Sequence, residues 1–338
     1  APSTATCFVT INEALAAAEL ADPGRWVTVN VSRGDFYQKP TISRGKVRLV
    51  GAGADNTRIY YDAVARDSRK YHRDNWGTPG SATLTINADE VYVSGMTIEN
   101  SYDYRTNDLL PDGSAEKNGD PQGVALLVDV DADRVEMEDV SLVGHQDTLF
   151  ADGGRLYFHD GFISGNVDFI FGDGMVLIED STIESRLRGQ TFPAGEVQSF
   201  ITAPSTQISQ PVGIVVHRSK LTREVGLPDG SVTLGRPWHP TTTFPDGRYA
   251  DPDAIGYAVY IDTWMDSHIS AERWSTMNGT ARDGSKTDVF KPGDSRFNER
   301  GSTGPGALQS DIAIDWTPSL SIDEIRAIVF NDWKPESF

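Results

Sequence analysis

The chain has 338 residues and a formal net charge of −19 at pH 7. This charge disfavours nucleic acid and anionic membranes as partners, because an acidic surface repels both. No stretch of about 18 apolar residues could span a membrane, and the single cysteine, Cys7, excludes an intrachain disulfide.

The first predicted element is a helix in the segment TINEALAAAEL. Thr10 and Glu13 have the spacing of a capping box, and Ile11 and Leu15 lie on one apolar stripe. Because a fold made of repeats needs its ends covered, we expect this helix to cap one end of the repeat that follows.

A strand-like pattern then recurs along the middle of the chain. Each copy has two apolar residues at alternating positions, a turn, and further apolar residues. Successive copies are separated by one or two multiples of roughly 20 residues, which is the period of a solenoid. Because Val and Ile at alternating positions favour strands, we predict an all-β parallel β-helix, with a β-sandwich of evenly spaced strands as the alternative. The copies begin at Val91, Val135, Leu156, Val176 and Ile214.

Two segments rich in Pro, Gly and Asp interrupt this repeat, at residues 101–122 and 238–256. We predict long loops there, which on a solenoid project from one side and often build the functional site. Near the C-terminus, the segment SIDEIRAIVF has the pattern of a second helix.

Polar residues lie in register within the repeat. Asp147 in GHQDTLF and Asp168 in NVDFIFG are one repeat apart, so their side chains would meet on neighbouring coils, which stack ~4.8 Å apart. Two carboxyl groups at that distance cannot both ionise easily, so one becomes a proton donor and the other an attacking carboxylate. The alternative is that both are turn acids bonded to backbone amides, and the spacing alone does not choose between these hypotheses.

Two glutamines favour the functional hypothesis. Gln122 in PQGVALL and Gln146 in GHQDTLF bring neutral N–H donors to the same place, as stabilisation of an oxyanion requires. In TLGRPWHPTTTF, Arg236 could form a bidentate pair with a carboxylate, and Trp238 could stack on a sugar. A surface salt bridge and a half-buried loop anchor are the simpler interpretations when that motif is considered alone.

Four motifs together resemble those of the pectin methylesterases, or pectinesterases: QGVAL, QDTL, DFIFG and LGRPW, in this order. The resemblance covers nearly the whole chain, and the stretch GRPWHPTTTFPDGRYADPDAIG is similar to secreted enzymes of plant-pathogenic bacteria. It implies one domain over residues 1–338 with a right-handed parallel β-helix, a capping helix, a C-terminal helix and long loops that form a cleft. It also implies a secreted, extracellular, monomeric enzyme, and the small polar start APSTAT fits a processed N-terminus.

The implied reaction is hydrolysis of the C6 methyl esters of pectin, which is methyl-esterified homogalacturonan, to pectate and methanol. Asp168 would be the nucleophile that forms an acyl-enzyme, and Asp147 would be first the general acid and then the base. Gln122 and Gln146 would bind the developing oxyanion, and Arg236 would orient Asp168. The resemblance implies no metal and no cofactor.

The resemblance also implies which residues line the sugar cleft. Phe171 and Trp238 are placed there by their motifs, and Phe150 stands where an aromatic residue usually follows QDTL. Matching of the flanking sequence adds Thr78, Ala203, Thr241 and Met277.

Several positions depart from the family pattern. Phe36 and Gln38 replace a Tyr and a Glu of an early motif, and we expect them to affect local packing or cleft polarity rather than the chemistry. Gly123 stands where Ala is usual, and its added backbone freedom is expected to loosen the neighbouring oxyanion donor. Gly161 and Ser181 occupy positions that some bacterial relatives join by a disulfide.

Other functions fit less well. A serine esterase needs a G-x-S-x-G motif, which is absent, as are the N-T-D, G-H-G and R-I-K motifs of polygalacturonases. A calcium-dependent pectate lyase needs an acidic metal cluster with a basic residue, and no such set lies in register. A β-helical adhesin would explain the repeat but not two Asp and two Gln residues in adjacent coils. His145 is interpreted as a loop residue near the cleft, with a role in proton transfer as the alternative.

Overall fold

The computed structural model describes residues 6–70, 77–193, 195–308 and 316–336, so the start of the chain, residues 1–5, lies outside the described residues. The strand Arg155–His159 pairs in parallel with Val135–Val143 on one side and with Met175–Glu179 on the other. The same pairing continues along the chain, and the strands wind through three faces in each coil. The predicted parallel β-helix is therefore confirmed.

The first and second faces belong to one fifteen-stranded sheet, because two long strands run through both, Val91–Asn100 and Val135–Val143. The other strands of the first face are Val27–Asn30, Val47–Val50, Arg155–His159, Met175–Glu179, Ile214–His217, Tyr257–Ile261 and Arg296–Arg300. Those of the second face are Gly34–Tyr37, Thr57–Tyr61, Phe162–Gly165, Thr182–Ser185, Lys220–Arg223 and Trp264–Met265. The third face is a seven-stranded sheet of Thr41–Ile42, Leu84–Ile86, Leu126–Val128, Leu149–Ala151, Val167–Gly172, Ser199–Pro204 and Val232–Gly235.

Two hairpins and several short helices lie outside the coils. The hairpins pair Thr241–Phe244 with Gly247–Ala250 and Met277–Gly279 with Asp288–Phe290. The helices are Ile11–Glu19, Gly77–Gly80, Tyr104–Leu109 and Ile322–Phe330, with 3-10 turns at Ala65–Lys70 and Pro292–Asp294. None of the helices in the described ranges has the length and apolar composition needed to cross a membrane.

The core is a stack of the inward side chains of successive coils. Leu156 pairs in register with Val135 on one neighbouring coil and with Val176 on the other, and all three are fully buried. Burying one such side chain stabilises the fold by roughly 1.5–3 kcal/mol. All the apolar residues that define the predicted repeat belong to this buried cluster, so one repeat of the sequence is one coil of the structure.

The N-terminal helix, Ile11–Glu19, begins at the predicted capping box. Thr10 Oγ1 accepts from Glu13 N, and Glu13 Oε2 accepts from Thr10 N, both at 3.1 Å. Leu15 is buried in the core, so the helix covers the first coil as predicted. Gln38 Oε1 accepts from Ile11 N at 3.0 Å, so this departure from the family pattern helps to hold the helix in place.

The C-terminal helix, Ile322–Phe330, is also present where the sequence predicted it. It begins at a second capping box, formed by Ser321 and Glu324. Ile325 and Val329 are buried against apolar residues on the outer side of the first face. This helix therefore packs along the flank of the coils.

The prediction of long loops was wrong for parts of both segments. Residues 101–122 contain the helix Tyr104–Leu109, which forms because Asp103 caps its first turn. Residues 238–256 contain the first hairpin, because three consecutive threonines favour a strand and a Pro-Asp pair supplies the two-residue turn. Both segments therefore carry ordered elements that stand beside the third face.

Gly161 and Ser181 meet on neighbouring coils. Ser181 Oγ accepts from Gly161 N at 3.1 Å, and Ser219 Oγ accepts from Ser181 N at 3.2 Å. Hydrogen bonds between a hydroxyl group and a backbone N–H group therefore join the coils of this chain at these positions.

Candidate active site

The two aspartates singled out by the sequence lie at one edge of the third face. Leu149 pairs in register with Ile170 on the next coil, and Asp147 and Asp168 stand at the same offset from these partners. Asp147 N donates to Val167 O at 3.0 Å, which fastens the turn before one strand to the start of the next. The structure therefore brings the two carboxyl groups together on neighbouring coils.

An irregularity in the strand Val167–Gly172 explains why an acid stands among apolar residues. The pairing of this strand with the next one shifts register before Ile170. Phe169 and Ile170 are consecutive, yet both enter the core, whereas Phe171 packs in a separate cluster outside it. A regular strand would send consecutive side chains to opposite faces. The irregularity thus leaves Asp168 on the outer side, at the boundary of the core.

Both aspartates have left-handed backbone conformations, with φ of 66° at Asp147 and 50° at Asp168. Asp tolerates this region better than most residues, because its short side chain can bond locally. The surrounding coils must nevertheless hold the backbone there. The same conformation occurs at other acids of the coils, so it shows how this edge is built and does not by itself mark a reactive pair.

Arg236 binds Asp168 through two hydrogen bonds, the bidentate geometry that the sequence suggested. Arg236 Nε donates to Asp168 Oδ1 at 2.8 Å, and Nη2 donates to Oδ2 at 2.6 Å. The guanidinium carbon also lies 3.9 Å from the centroid of the Phe200 ring. A planar pair of this kind favours the ionised carboxylate and fixes the direction of its oxygens. Asp168 is thus held as an oriented anion.

Asp147 lies in a different electrostatic environment. Only 8% of its surface is exposed. Burial raises the pKa of Asp147 well above its usual value, the negative charge of Asp168 raises it further, and the charge of Arg236 opposes these effects only in part. Asp147 therefore keeps its proton where Asp168 is ionised, which separates the pair into a proton donor and an anion.

Gln122 and Gln146 both line a cavity of about 600 Å³. The coils that carry them are joined where Gly123 N donates to Gln146 O at 3.1 Å. Gln122 Oε1 is buried and has no hydrogen-bond partner in the described chain, so the NH₂ group is the end of this amide that a ligand can reach. Both glutamines can therefore offer N–H donors to a bound group.

Gly123 permits a close contact rather than flexibility. A Cβ at this position would lie 2.7 Å from Asn100 Oδ1. Asn100 Nδ2 donates to Ala63 O at 2.8 Å and to Val124 O at 3.2 Å, so its side chain joins the backbone next to Gln122 to neighbouring segments. The geometry indicates a tight fit where the sequence analysis expected added freedom.

An aromatic cluster stands on the outer side of the third face. The rings of Phe150 and Phe171 stack with centroids 4.2 Å apart, and Trp238 meets them edge-on at 6.2 and 5.7 Å. Ala203 joins the cluster because it pairs in register with Phe171. The structure thus gathers Phe150, Phe171, Trp238 and Ala203, which the resemblance placed in the sugar cleft.

A family model for pectinesterases matches residues 1–311. Pectinesterase A of Dickeya dadantii is 41% identical over 329 residues, which are 97% of this chain and 88% of that protein. The chain belongs to the pectinesterase family. Because pectinesterases are carboxylic ester hydrolases, the chain is an enzyme of that class.

Solved structures of pectin methylesterases share the fold of this pectinesterase. One of them, a crystal structure in complex with a hexasaccharide, has a TM-score of 0.89 and 40% identity over 99% of this chain and 96% of that chain. The enzyme from Yersinia enterocolitica has a TM-score of 0.86 and 39% identity over 97% of this chain and 100% of that one. Demethylation of pectin is the activity that these similarities support.

The other residues that the resemblance placed in the cleft of the pectinesterase lie on separate elements. Thr78 is in the short helix Gly77–Gly80. Thr241 and Met277 are on the two hairpins, which meet where the hydroxyl groups of Thr241 and Thr280 hydrogen-bond at 2.7 Å. No contact recorded among the described residues joins these three to the aspartates, so their role in sugar binding stays a prediction.

His145 lies beside the site without joining the aspartate pair. Its ring stacks on Tyr104 with centroids 5.2 Å apart, and its Nδ1 lies 3.2 Å from Asn166 Nδ2. Burial, with the nearby charges of Arg186 and Arg105, lowers the pKa of His145 to about 3, so the imidazole is neutral near pH 7. Within the part of the chain that the structure describes, no group of three or more His, Cys, Asp or Glu side chains is placed to hold a metal ion.

The sequence analysis missed three residues that line the cavity: Tyr104, Asp108 and Arg188. Arg188 Nε donates to Asp108 Oδ2 at 3.0 Å, and Nη2 donates to Oδ1 at 2.8 Å. The two residues are 80 positions apart, so no local pattern could have paired them. For Tyr104 and Asp108, the available signal was the mixed aromatic and charged composition of residues 101–122, which were predicted as a loop.

Proposed function

We propose that this pectinesterase, as one domain over residues 1–338, hydrolyses the C6 methyl esters of pectin through an acyl-enzyme on Asp168. The observation that carries this proposal is the pair of neighbouring aspartates, in which Asp168 is bound by Arg236 and Asp147 is buried with a raised pKa. The products are pectate and methanol. A similar pectin methylesterase holds a hexasaccharide, which supports an extended pectin chain as the substrate.

In the first step, one oxygen of the Asp168 carboxylate attacks the C6 carbonyl carbon of a methyl-esterified galacturonosyl unit. The carbonyl oxygen becomes an oxyanion and accepts hydrogen bonds from the amide groups of Gln122 and Gln146. As this intermediate collapses, the bond to the methoxy oxygen breaks and Asp147 gives its proton to that oxygen. Methanol leaves, and an anhydride joins the galacturonosyl carbon to Asp168.

In the second step, the ionised Asp147 takes a proton from a water molecule whose oxygen attacks the acyl carbon. The bond between that carbon and Asp168 breaks, and Asp168 leaves as a carboxylate. The sugar unit is now a carboxylic acid, which ionises to pectate. Asp147 again holds its proton, so both side chains return to their starting states.

The environments of the two aspartates suit this division of roles. The raised pKa of Asp147 keeps a proton available for the leaving group. After the proton has gone, the positive charge of Arg236 offsets part of the cost of the buried anion. Asp168 does not compete for the proton, because Arg236 donates to both of its oxygens.

The aromatic cluster suits a carbohydrate substrate. Phe150, Phe171 and Trp238 form an apolar surface next to Asp168, which lies three residues before Phe171 on the same strand. Apolar ring surfaces can pack on the faces of sugar rings and on the methyl group of an ester. Trp238 is only partly buried, so its ring is the part of the cluster that a sugar can reach.

Location and assembly complete the proposal. The substrate lies outside cells, so the enzyme is secreted and acts as a monomer on the polymer. Secretion predicts activity in the medium of the producing cells rather than in washed cells. A monomer predicts a sedimentation mass near 36.9 kDa, and a mass of twice that value at assay concentrations would contradict it.

Incubation with highly methylated pectin tests the reaction. Release of methanol and acid at equal rates, with unchanged viscosity, is the expected result. Falling viscosity with new reducing ends would indicate a glycosidase, and absorbance from unsaturated chain ends would indicate a lyase. Binding without any product would indicate an adhesin, and each of these three results would overturn the proposal.

Trapping with hydroxylamine tests the intermediate. Hydroxylamine attacks the carbonyl groups of an anhydride, so quenching during turnover should leave a hydroxamate on Asp168 that peptide mapping locates. The same quench without substrate, and the quench of an Asp168→Asn variant, should leave none. A modified residue other than Asp168 would contradict the proposed nucleophile.

A further inference from the structure

The cavity of about 600 Å³ beside Gln122 and Gln146 has a wall that the proposed chemistry does not use. This wall includes the helix Tyr104–Leu109 and residues 188–192. A methoxy group is far smaller than this space, which lies within the usual range of about 300–1,000 Å³ for a ligand pocket. The cavity can therefore receive a larger part of the substrate than the leaving group.

Asp108 holds the two segments of this wall together. It accepts from the guanidinium of Arg188 and from the backbone N–H groups of Gly189 at 2.9 Å and Gln190 at 3.2 Å. Burial opposes ionisation of Asp108, but the hydrogen bonds and charge of Arg188 outweigh it and lower the pKa of the carboxyl. The ion pair and the two backbone hydrogen bonds thus fix the wall, and they occupy both carboxylate oxygens of Asp108.

Tyr104 stands in this wall with its ring covered. Only 3% of its surface is exposed. The ring stacks on His145, and the guanidinium of Arg188 lies 5.7 Å from its centroid. Because so little of the ring is accessible, Tyr104 cannot recognise a sugar by stacking, and its hydroxyl group is the part that can act.

Tyr104 lines the cavity, and its hydroxyl group has no hydrogen-bond partner in the described chain. The hydroxyl oxygen is not fully covered by protein atoms, so its donor remains available to a ligand in the cavity. Burial raises the pKa of the phenol most; the charge of Arg188 opposes it, and the charges of Asp108, Asp147 and Asp168 add to it. The group therefore stays an O–H donor over the working range of an enzyme.

The charges of the cavity favour an uncharged ligand group at this point. Arg188, the cation next to Tyr104, is neutralised by Asp108, and Lys117 Nζ lies 2.7 Å from Asp112 Oδ1. The third cation of the lining, Arg66, donates to Lys117 O. Paired charges have little capacity left for a further ion. A neutral polar group, such as the hydroxyl of a sugar, is the chemistry that the Tyr104 hydroxyl complements.

We propose that Tyr104 donates a hydrogen bond to a hydroxyl group of the galacturonosyl unit next to the one whose ester reacts. Tyr104 is then a substrate-binding residue that fixes the polymer relative to Gln122 and Gln146, which line the same cavity. This inference rests on the proposed function, since it assigns a subsite of the same reaction.

The test compares Tyr104→Phe with the wild-type enzyme, using methyl-esterified hexagalacturonide as substrate. The variant keeps the buried ring and loses only the hydroxyl group. We expect KM to rise about three- to tenfold, the worth of one hydrogen bond between uncharged groups, with kcat within about twofold of wild type. In an Asp168→Asn background, the same change should weaken calorimetric binding of the hexagalacturonide by a similar factor.

A matched control removes a tyrosine hydroxyl elsewhere. Tyr92 lies on the first face and its hydroxyl donates to Glu138, so Tyr92→Phe should leave KM unchanged. An unchanged KM for Tyr104→Phe, or a fall in kcat at constant KM, would overturn the inference. Failure of the wild-type enzyme to release methanol would instead overturn the proposed function, so the two failures can be told apart.

Discussion

Two ladders of aspartates flank the strands of the third face, one at each end. Asp147 and Asp168 lie at the end where the strands begin. Asp129, Asp152 and Asp173 directly follow the last residues of three successive strands of the same face. In both ladders the acids are one coil apart, and in both at least one acid has a raised pKa.

The second ladder shows what burial and spacing produce by themselves. Burial raises the pKa of Asp152 to about 7, and the charges of Asp173 and Asp129 add to the effect. Burial also raises the pKa of Asp173 to about 6. Within the described chain no arginine binds Asp152 or Asp173. Stacking and burial therefore raise the pKa of these acids without an arginine that would hold one of them as an anion.

The first ladder differs in what surrounds it. Arg236 binds one member and leaves the other to hold the proton, and the amides of Gln122 and Gln146 line the adjoining cavity. The comparison teaches that spacing supplies a pair of acids, whereas a cation and aligned N–H donors divide their roles.

A third set of acids shows that backbone conformation is not sufficient either. Asp139, Asp160 and Asp180 lie where the chain passes from the first face to the second, with φ of 52°, 52° and 50°. Their φ values resemble those of Asp147 and Asp168, but all three are exposed. Asp160 pairs with His159 and Asp180 with Arg218, so a left-handed backbone conformation also occurs at exposed acids with ordinary partners.

Replacement of single acids by asparagine in each ladder should give the largest difference in activity. Asp168→Asn and Asp147→Asn should each lower kcat for methanol release at least about 10³-fold, because one removes the attacking anion and the other the proton donor. Asp173→Asn, from the second ladder, should stay within about twofold of wild type. Thermal unfolding followed by circular dichroism checks that all three variants are folded. An equal loss in Asp173→Asn would abolish the distinction between the ladders.

Removal of Arg236, the cation that the first ladder has and the second lacks, should give the next largest effect. Arg236→Gln should lower kcat about 10²-fold, because Asp168 loses both hydrogen bonds that orient it. The charge of Arg236 lowers the pKa of Asp147, so its loss should raise that pKa and move the alkaline limb of the pH–rate profile to higher pH. Arg218→Gln is the control, because Arg218 binds the exposed turn acid Asp180. A profile that keeps its alkaline limb in Arg236→Gln would argue against Asp147 as the group that titrates.

A smaller effect is expected from the packing beneath the oxyanion donors. Gly123→Ala should lower kcat about three- to tenfold, because the added Cβ would press on Asn100 and displace the neighbouring Gln122. Gly293→Ala places a Cβ where nothing lies within 4 Å, and it should change nothing. Equal rates for Gly123→Ala and wild type would show that the contact with Asn100 does not position Gln122.

The smallest effect concerns stability in the second ladder. The pKa of Asp152 rises from 3.8 to about 7 on folding, so its contribution to stability is complete below pH 3.8 and is lost as pH rises through about 7. Asp152→Asn cannot ionise, so relative to wild type it should gain about 1–2 kcal/mol in the free energy of unfolding between pH 4 and pH 8. Urea unfolding at both values measures this, with the exposed acid Asp131 as the site of a control substitution, Asp131→Asn. A gain that is independent of pH would contradict the assigned ionisation.

The sequence by itself determined the repeat, the two terminal helices and the spacing of the paired acids. Each of these is a local property: the period places Val135, Leu156 and Val176 in one column, and the capping box at Thr10 requires only residues a few positions apart. The family motif that contains Asp168 likewise pointed to the attacking residue proposed here.

Only the tertiary structure decided how the site is assembled. The ion pair of Arg236 with Asp168 joins residues 68 positions apart, and that of Arg188 with Asp108 joins residues 80 apart. The shift of register before Ile170 depends on the next coil, and no window around that strand specifies it. Contacts of this kind are set by how coils stack and which insertions meet above them, so local periodicity and propensity carry no information about them.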